Sequence, residues 1–519
     1  MSRRASRSFV AAATIVVLAA CASKTAQPQT FAQTAGAAQT SGGKAATPRA
    51  SRRAIEQLRR DLQVLFGDRA VDHAQWSVIV KSLRSGDTLY SLNSNRLQVP
   101  ASNQKVITSA VAAERLGWDY RYTTRIYATA PMSADGAIDG DLVVTSNGDP
   151  TINPRHPERW AVLDEWARQL AARGVRLIGG QLIGDDNAFA EPGWGAGWSW
   201  DDIALGYGAP VSALQYNENQ VELLIGPGQE AGARAIVSTS PAGSGLTIDH
   251  GVTTAAAGAE TKVTLERIPG SKILSVRGQV AIGNPALHED AAVPNPTQMY
   301  LNALREALAR NGIFVGGVTV DIDDVRLAPD LTKATLLLED RSPPLSEIID
   351  VTLKWSRNIY AETLLMSMAP AGQPAATDAG LVAMRETLDS WHVPAESYLA
   401  RDGSGLSRYD YLSADALLAL LTHVSSEPKL ADTFKSTLPV AGVSGSLANR
   451  MKETPAQGRV FAKTGSMSQV RSLSGYATTL ADEPLVFAIV VNGFRVPAKE
   501  IDAVVEKALV KLVEFKRGK

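Results

Sequence analysis

Apolar and polar residues recur with two different periods, which predicts helices near both ends of the chain and a long β-rich segment between them. Residues 51–68 have the first helical pattern, with apolar positions one turn apart: Ile55, Leu58, Leu62 and Leu65. In residues 75–93, two short apolar runs flank Ser-Gly-Asp, and this arrangement predicts a β-hairpin. A further helix is predicted from near Pro100, because proline suits the first turn of a helix.

Residues 117 to about 340 have a different pattern. Short runs such as DLVVTSNGD and VELLIGPG alternate with turns rich in glycine and proline, and two helical stretches interrupt them, near 160–172 and 297–310. The pattern then turns helical again. It ends with three predicted strands and a helix: 458–465, 472–479, 484–494 and 501–517. Strands and helices at both ends predict one α/β core assembled around an insertion.

The chain therefore divides into a leader, a tether, a split core and an insertion. Residues 1–21 are interpreted as a signal peptide, and residues 22–50 as a disordered tether with little apolar surface to bury. The core is predicted to combine 51–120 with 338–519. Residues 121–337 are predicted to form one or two inserted β-rich domains, two nested ones being favoured.

Composition and charge exclude several classes of function. The chain is 45% hydrophobic and 20% charged, and its formal net charge is -1 without a strongly basic block, so nucleic acid is not an expected partner. The six histidines show no His-x-His or His-Glu-x-x-His spacing, and no glycine-rich loop ends in Gly-Lys-Ser/Thr. No metal and no cofactor are therefore predicted.

The N-terminus is typical of an export signal. Arg3, Arg4 and Arg7 precede FVAAATIVVLAAC, an uncharged run that is shorter than the ~20 residues of a membrane-spanning helix. The run ends at Cys21, which has no other cysteine to pair with. Its last residues, Leu-Ala-Ala-Cys, resemble the lipobox of bacterial lipoproteins. That resemblance implies a lipid on Cys21, and Ala22 after it implies the outer membrane; the alternative is an ordinary signal peptide with an incidental cysteine.

The first candidate for chemistry is a serine followed one helical turn later by a lysine. Ser102 and Lys105 lie at the start of the amphipathic stretch VPASNQKVITSAV, where positions i and i+3 share a helix face. The lysine can take the proton of the serine if burial or another cation lowers its pKa from the reference value of ~10.4. The alternative is a helix-capping serine with a lysine that reaches solvent. Alone the pattern is weak, since it recurs at 41–44 and 426–429.

Two further motifs favour the catalytic interpretation. Residues 356–358 are Ser-Arg-Asn, and residues 463–465 are Lys-Thr-Gly, preceded by a predicted strand. The ordered set Ser-x-x-Lys, Ser-x-Asn and Lys-Thr-Gly is the signature of active-site serine penicillin-binding proteins and serine β-lactamases.

The third motif is expected to bind substrate and to tune the base. Gly465 would let a substrate backbone approach closely, and Thr464 and Ser466 offer hydroxyls to a substrate carboxylate. Lys463 adds positive potential, and like-charge repulsion from it is expected to help keep Lys105 neutral.

The second motif and two backbone groups complete the predicted machinery. Ser356 is expected to relay a proton to the leaving amine, and Asn358 to hold the substrate amide and Lys105. The backbone N–H groups of Ser102 and Ser466 are candidates for an oxyanion hole.

On these motifs the chain resembles the type-4 penicillin-binding protein family, which comprises low-molecular-mass D-alanyl-D-alanine carboxypeptidases/endopeptidases of the bacterial periplasm. The resemblance extends from about Ser51 to the C-terminus. It includes four more stretches: NGDPT (147–151), GDDNAF (184–189), RDGSGLSR (401–408) and LPVAGVSGSL (438–447). Residues 106–355 separate the first two motifs, and serine β-lactamases have no space for such an insertion.

The resemblance implies an α/β fold in which a serine β-lactamase/transpeptidase-like core, an antiparallel sheet flanked by helices, carries inserted domains. It implies acyl transfer at Ser102, with peptidoglycan stem peptides as substrates and β-lactam antibiotics as inhibitors. It also implies that Asp149 and Arg408 help to hold the stem peptide; the alternatives are a turn aspartate before Pro150 and a surface arginine. Arg357 stands where Asp or Asn is commoner in the family, and its side chain is expected to point away from the cleft.

Two other functions are compatible with the motifs. One is a β-lactamase or esterase on the same core, which the long insertion disfavours. The other is a catalytically inactive, wall-binding lipoprotein that keeps the scaffold, which the presence of every motif residue disfavours. Carboxypeptidase and endopeptidase activity use one site, so the motifs leave both open.

Overall fold

The computed structural model describes residues 49–69, 71, 73–369 and 375–518, so Cys21, the predicted signal peptide and nearly all of the predicted tether lie outside the described residues. Within these ranges the helices are, in chain order, α1 (Arg49–Phe66), α2 (Gln104–Leu116), α3 (Pro157–Trp160), α4 (Val162–Ala172), α5 (Pro296–Arg310), α6 (Leu345–Lys354), α7 (Asn358–Ser367), α8 (Thr377–Ser390), α9 (Ala414–Ser426), α10 (Ala431–Thr437) and α11 (Ala498–Glu514). None of the helices in this described part is both long enough and apolar enough to cross a bilayer.

The strands are, in chain order, β1 (Gln75–Ser82), β2 (Thr88–Leu92), β3 (Thr123–Ala128), β4 (Ala137–Ile138), β5 (Leu142–Ser146), β6 (Leu177–Ile178), β7 (Leu182–Asp185), β8 (Gln220–Gly226), β9 (Ile236–Ser240), β10 (Thr247–Ala255), β11 (Lys262–Glu266), β12 (Ile273–Ala281), β13 (Leu287–Ala292), β14 (Phe314–Val315), β15 (Thr319–Asp321), β16 (Thr335–Arg341), β17 (Tyr398–Leu399), β18 (Tyr411–Leu412), β19 (Val460–Met467), β20 (Val470–Thr478) and β21 (Pro484–Asn492).

The two ends of the chain meet in one five-stranded antiparallel sheet. Its strand order is β19-β20-β21-β1-β2, so the predicted N-terminal hairpin lies beside the three predicted C-terminal strands. Strand β1 pairs with β21 from Gln75 opposite Asn492 to Ser82 opposite Leu485. Helices cover this sheet, so the predicted fold class, an α/β protein with an antiparallel sheet flanked by helices, is confirmed.

Both faces of the sheet are buried, and alternation along β21 shows how. One set of its side chains packs with α1 and α11: Leu485, Phe487, Ile489 and Val491. The intervening set packs with the group of helices that includes α2, α6 and α9: Val486, Ala488 and Val490. A strand that is apolar on both faces needs cover on both sides, and amphipathic helices from the two ends and the middle of the chain supply it.

The segment predicted as an insertion is β-rich in the structure. A second five-stranded sheet has the order β15-β7-β5-β3-β16, and α4 and α5 pack on it through Trp166 and Leu301. Three-stranded sheets with the orders β13-β8-β9, β10-β12-β11 and β14-β6-β4 belong to the same segment. Its division into one or two domains, and the exact limits of the core, stay predictions.

The three motifs lie on three different elements. Ser102 lies on a short 3-10 helix, Ala101–Asn103, so the helix predicted from near Pro100 begins as a tighter turn and becomes α-helical only where α2 starts. Ser356 lies in the bend between α6 and α7, and Lys463 lies in the middle of β19.

Candidate active site

Lys105 is fully buried in the first turn of α2, and its amine contacts three other parts of the chain. Its Nζ lies 3.0 Å from Oγ of Ser102, 2.6 Å from Oδ1 of Asn358 and 2.7 Å from the carbonyl oxygen of Ser404. The structure thus brings the first two motifs together and adds Ser404, which the motifs did not include.

The three partners of Lys105 differ in what they can do with a proton. The oxygens of the Asn358 amide and of the Ser404 carbonyl only accept hydrogen bonds, whereas the Ser102 hydroxyl can accept or donate. A neutral amine has two N–H bonds and one lone pair. It can therefore donate to both carbonyl oxygens and still accept the proton of Ser102, which is the arrangement a general base requires.

Burial lowers the pKa of Lys105 from the ordinary value of a lysine to about 7. The negative charge of Asp402 is the largest influence that opposes this effect, the carboxylate of Glu362 opposes it when ionised, and Arg357 adds to it. The uncharged amine is therefore well populated near neutral pH.

Lys463 is also fully buried, and it holds the serine of the second motif. Its Nζ donates to Oγ of Ser356 at 2.8 Å and to the carbonyl oxygen of Thr464 at 2.7 Å. Burial, and then the charge of Lys105, lower the pKa of Lys463 well below the ordinary range. Burial is the main cause of the lowered pKa of Lys105. The repulsion between the two amines is mutual, and the expectation that Lys463 helps to keep Lys105 neutral stays a prediction.

Ser356 and Arg357 are neighbours in the bend between α6 and α7, but their side chains contact different parts of the protein. Ser356 has a φ of +58°, in a region that costs a non-glycine residue on the order of 1–3 kcal/mol. The guanidinium of Arg357 pairs with Glu218 of the inserted segment, which also accepts a 2.7 Å hydrogen bond from Arg155. Arg357 is thus tied to the insertion while Ser356 faces Lys463.

Asn103, inside the first motif, ties the serine turn to the sheet. Its Nδ2 donates to the carbonyl oxygen of Lys463 at 3.1 Å and to Oγ of Ser472 at 2.7 Å. Its Oδ1 accepts from Ser474, and Ser472 donates to the carbonyl oxygen of Pro100 at 2.6 Å. The motifs did not predict this role, although two serines at alternate positions of an otherwise apolar strand were a signal that a buried polar partner faces them.

Gly465 is where β19 comes closest to the serine turn. A Cβ atom at this position would lie 2.1 Å from Oγ of Ser472, 2.9 Å from the carbonyl oxygen of Pro100 and 3.1 Å from the amide nitrogen of Ser102. A side chain at this position would therefore collide with the Ser472 hydroxyl and with the backbone of the serine turn. The close approach of a substrate backbone to Gly465 stays a prediction.

Hydroxyl groups lie on and beside the third motif. Oγ of Ser446 lies 2.7 Å from Oγ1 of Thr464, and Ser466 is exposed two residues further along β19. Ser446 belongs to the stretch 438–447 that the family resemblance includes. The binding of a substrate carboxylate by these hydroxyls, and the oxyanion hole, stay predictions.

Arg408 lies between the inserted segment and the end of β19. Its backbone N–H donates to the carbonyl oxygen of Gly197 at 3.2 Å, and its Nη1 donates to the carbonyl oxygen of Ser468 at 3.4 Å. The inserted segment reaches the second motif too, since Nδ2 of Asn358 donates to the carbonyl oxygen of Tyr207 at 2.8 Å. A part for Arg408 in substrate binding stays a prediction.

The structure places Asp149 differently from what the resemblance implies. The residue is 2% exposed, and its Oδ1 accepts hydrogen bonds from the backbone N–H and hydroxyl of Thr151 at 2.9 and 2.6 Å. Its Oδ2 accepts from Arg159 at 2.9 Å, and Arg159 also pairs with Asp340 at 2.6 Å. These contacts use both carboxylate oxygens inside the protein, so they favour the turn-aspartate alternative over substrate binding.

Two groups of carboxylate or imidazole side chains in the described residues have ligand atoms within 4.8 Å of one another: His156, Glu158 and Glu347, and Asp186, Glu191 and Asp321. Exposed acidic groups commonly converge without an ion. Neither group includes a motif residue, and the absence of a metal and of a cofactor stays a prediction.

One family model matches a range of the chain that includes all three motifs. Residues 58–514 match the D-Ala-D-Ala carboxypeptidase 3 (S13) family. A D-alanyl-D-alanine carboxypeptidase from Actinomadura sp. is 34% identical over 486 residues, which cover 91% of this chain and 88% of that protein.

Solved structures share the fold. The crystal structure of penicillin binding protein 4 from Haemophilus influenzae aligns with a TM-score of 0.77 at 23% sequence identity, over 88% of this chain and 99% of that chain. The structure of the same H. influenzae protein complexed with a novel β-lactam aligns with a TM-score of 0.71 at 22% identity, over 88% and 99% of the two chains.

We expect Gly465→Ala to slow the reaction of Ser102 with a fluorescent penicillin about tenfold to a hundredfold, because the new methyl group displaces the serine turn relative to Lys105. The second-order rate of labelling measures the effect, and the melting temperature reports any loss of stability. Gly226→Ala is the matched control, since its Cβ would meet only Ala286, at 3.9 Å. Labelling of Gly465→Ala at the rate of the parent protein would contradict the prediction.

Proposed function

The chain belongs to the D-Ala-D-Ala carboxypeptidase 3 (S13) family, a family of serine hydrolases; from this premise we propose that it binds penicillin and removes the terminal D-alanine of peptidoglycan stem peptides through an acyl-enzyme at Ser102. One observation carries the proposal. The amine of Lys105, buried and with a pKa lowered to about 7 by that burial, lies 3.0 Å from Oγ of Ser102.

Acylation begins when neutral Lys105 takes the proton of Ser102 and Oγ attacks the carbonyl carbon of the penultimate D-alanine. Negative charge develops on the carbonyl oxygen. The backbone N–H of Ser102, in the first helical turn, is well placed to donate to it, and the N–H of Ser466 is the second candidate donor.

The C–N bond then breaks, and the leaving amine needs the proton that Lys105 has taken. We propose that Ser356 donates its own proton to the amine and regains one from Lys463, whose Nζ lies 2.8 Å from its Oγ. The proton on Lys105 then restores that of Lys463, so that Lys105 is neutral again. The carboxylate of the leaving D-alanine favours the protonated form of Lys463 while it is bound. Deacylation reverses the roles: water attacks the ester, Lys105 takes its proton, and Oγ of Ser102 recovers a proton as the C–O bond breaks.

A β-lactam offers a strained amide to the same hydroxyl. Attack by Oγ opens the ring, but the amine stays attached to the acyl group, so the adduct has the mass of the whole antibiotic. The H. influenzae protein, which shares this fold, is known in complex with a β-lactam, and this supports β-lactam binding as part of the proposal.

We expect benzylpenicillin to add its full mass to the peptide that contains Ser102. Ser102→Ala is expected to abolish both this adduct and the release of D-alanine from pentapeptide muropeptides, because no other hydroxyl contacts Lys105 in the described residues. Intact-mass spectrometry with peptide mapping, and mass analysis of digested muropeptides, measure the two outcomes.

Ser109→Ala is the matched control for that experiment. Ser109 is also buried on α2, and its hydroxyl has no hydrogen-bond partner in the described residues, so both activities should survive. An adduct on a peptide without Ser102, or D-alanine release by Ser102→Ala, rules out the proposed acyl-enzyme.

Cleavage of cross-linked stem peptides needs space beside the leaving amine. A groove of about 610 Å³ is lined by Trp355, which precedes Ser356 in the sequence. Trp355 forms one wall, and Arg155, Trp160 and Glu218 of the inserted segment are among the other lining residues. The volume is within the ~300–1,000 Å³ of typical ligand sites. This groove supports endopeptidase activity as part of the proposal.

We expect Trp355→Ala to slow the cleavage of cross-linked muropeptide dimers about fivefold to tenfold relative to pentapeptide monomers, because only the dimer carries a second stem peptide into the groove. Initial rates on the two purified substrates give the ratio. Phe314→Ala is the control, since Phe314 is 64% exposed, as Trp355 is 59% exposed, but lies outside the groove. A ratio equal to that of the parent protein counts against this use of the groove.

The proposal also includes the periplasm as location, with Cys21 as a lipid anchor in the outer membrane. The support comes from the sequence: a basic start, a short apolar run and Leu-Ala-Ala-Cys, followed by a stretch with the composition of a tether. An anchor of this kind would keep the enzyme close to its polymeric substrate.

We expect the full chain expressed in bacteria to incorporate a fatty-acid label and to fractionate with the outer membrane, whereas Cys21→Ser loses the label because the thiol that carries the lipid is gone. Ser23→Ala, two residues on, is the control and should keep the label. An unlabelled parent protein in the soluble periplasmic fraction would exclude the anchor and leave the catalytic proposal intact.

A further inference from the structure

The third partner of Lys105 connects it to a buried carboxylate through one peptide group. Nζ of Lys105 donates to the carbonyl oxygen of Ser404 at 2.7 Å. The N–H of the same peptide group, which belongs to Gly405, donates to Oδ1 of Asp402 at 2.6 Å. The peptide group thus lies between a buried acid and a buried base.

Asp402 is fully buried, and donors surround its carboxylate. Besides the bond from Gly405, its Oδ2 accepts from the backbone N–H of Ser407 at 2.7 Å and from Nε1 of Trp198 at 2.8 Å, and Oγ of Ser404 lies 3.3 Å away. An ionised carboxylate only accepts hydrogen bonds, so this set of donors suits the anion. The same contacts fix the direction in which Oδ1 points.

A carboxylate that accepts from a peptide N–H makes the carbonyl oxygen of that peptide a stronger acceptor, because successive hydrogen bonds polarise one another. The effect of Asp402 therefore reaches Lys105 through the Ser404–Gly405 peptide. Asp402 also acts through space, and its charge is the largest influence that favours protonated Lys105.

We propose that Asp402 is a positioning residue of the reaction: through the Ser404–Gly405 peptide it aims the amine of Lys105 at Ser102, and it stabilises the ammonium that forms when Lys105 takes the serine proton. No covalent step is involved. The inference rests on the proposed role of Lys105 as the base for Ser102. The arrangement corresponds to the third group that orients the base in other nucleophile–base pairs.

Glu362 provides a built-in contrast to Asp402. It is also buried, and it accepts from the backbone N–H groups of Gly403 and Ser404 at 3.0 and 2.7 Å. The carbonyl oxygen of Gly403 accepts from Oγ1 of Thr108 at 2.7 Å. The relay from Glu362 therefore ends on a hydroxyl of α2, whereas the relay from Asp402 ends on Lys105.

The other charged groups near Lys105 are Glu362, Asp410, Arg357 and Lys463. Burial, and then Asp402, raise the pKa of Glu362 to about 8, so it carries little charge at neutral pH. Burial, and then Asp402, raise the pKa of Asp410 well above its ordinary range, which makes it the protonated neighbour of Asp402. Asp402 is thus the acid whose negative charge acts on Lys105 at neutral pH.

The direction of the pH effect follows from the role of the base. Lys105 must be neutral to accept a proton, so the reaction slows as the pH falls through its pKa of about 7. Asp402→Asn removes a charge that favours the protonated form. The pKa of Lys105 then falls, and the acid limb of the rate profile moves to lower pH.

The experiment measures the second-order rate of acylation by a fluorescent penicillin between pH 5 and pH 9. We expect Asp402→Asn to move the acid limb down by about one pH unit and to lower the plateau rate about tenfold or more, because the ammonium loses its stabilising partner. Glu362→Gln should move the limb less and keep the plateau within about threefold of the parent protein. Asp186→Asn controls for the loss of a buried carboxylate elsewhere, since Asp186 is 3% exposed and accepts from the hydroxyls of Ser212 and Thr297.

Trp198→Phe keeps the experiment decisive if Asp402→Asn does not fold. The variant retains an aromatic ring and the charge of Asp402 but removes one donor from Oδ2, so more of the negative charge bears on Lys105. We expect the acid limb to move to higher pH, opposite to the shift of Asp402→Asn. The inference is overturned if the acid limb of Trp198→Phe lies at the same pH as in the parent protein. It is also overturned if Asp402→Asn and Glu362→Gln shift the acid limb equally.

The two proposals fail in different ways. A penicillin adduct that persists in Ser102→Ala refutes the proposed function. An adduct on Ser102 with a parental pH profile in Asp402→Asn refutes only the role of Asp402.

Discussion

Two lysines buried side by side are the constraint on which the rest of the structure depends. A buried amine needs acceptors for its N–H bonds, and an isolated buried charge is very costly. Lys105 finds its acceptors on Asn358 and Ser404 and faces the hydroxyl of Ser102, and Lys463 finds its acceptors on Ser356 and on its own strand. Four separate stretches of the chain must therefore be in place before both amines are satisfied. The same burial that requires these partners also lowers the pKa of each amine. Burial therefore costs stability but makes the amines reactive.

The inserted segment belongs to this arrangement rather than standing apart from it. Glu218 holds the guanidinium of Arg357, and the carbonyl oxygen of Tyr207 accepts from Asn358. Trp198 donates to Asp402, and Gly197 accepts from the backbone of Arg408. The insertion thus contacts both the second motif and the stretch 402–408, each of which contributes an acceptor to Lys105. A displacement of the insertion would be felt first by the second motif and by the carboxylate that faces the Ser404–Gly405 peptide.

The elements and motifs that could be predicted from the sequence have a local signature. The apolar run at 484–494 and the helical spacing of Ile55, Leu58 and Leu62 predicted one strand of the central sheet and the first helix that covers it. The ordered motifs predicted which side chains would meet. The motifs could be recognised in the sequence because the residues of each lie within one turn or one strand. Asp402 and Asn103 were missed as parts of the site, because their partners are hundreds of residues away or are backbone groups, and such partners leave no periodic pattern in the sequence. Asp149 shows the converse: a motif gave it a role in binding, but the nearby Arg159 occupies its carboxylate.

The pairing of β1 with β21 sets the order in which the molecule can be assembled. Residues 83–483 lie between these two strands. The hairpin of β1 and β2 is therefore synthesised long before β21, the strand with which β1 pairs. Contacts of such long sequence separation carry a large loop-closure cost and form late in folding. A nascent chain that lacks its final hundred residues has Ser102 but neither Lys463 nor the strand that carries it, so it cannot yet bring the two amines together. Competence to react is therefore acquired only when β19, which carries Lys463, has docked in the sheet beside the serine turn.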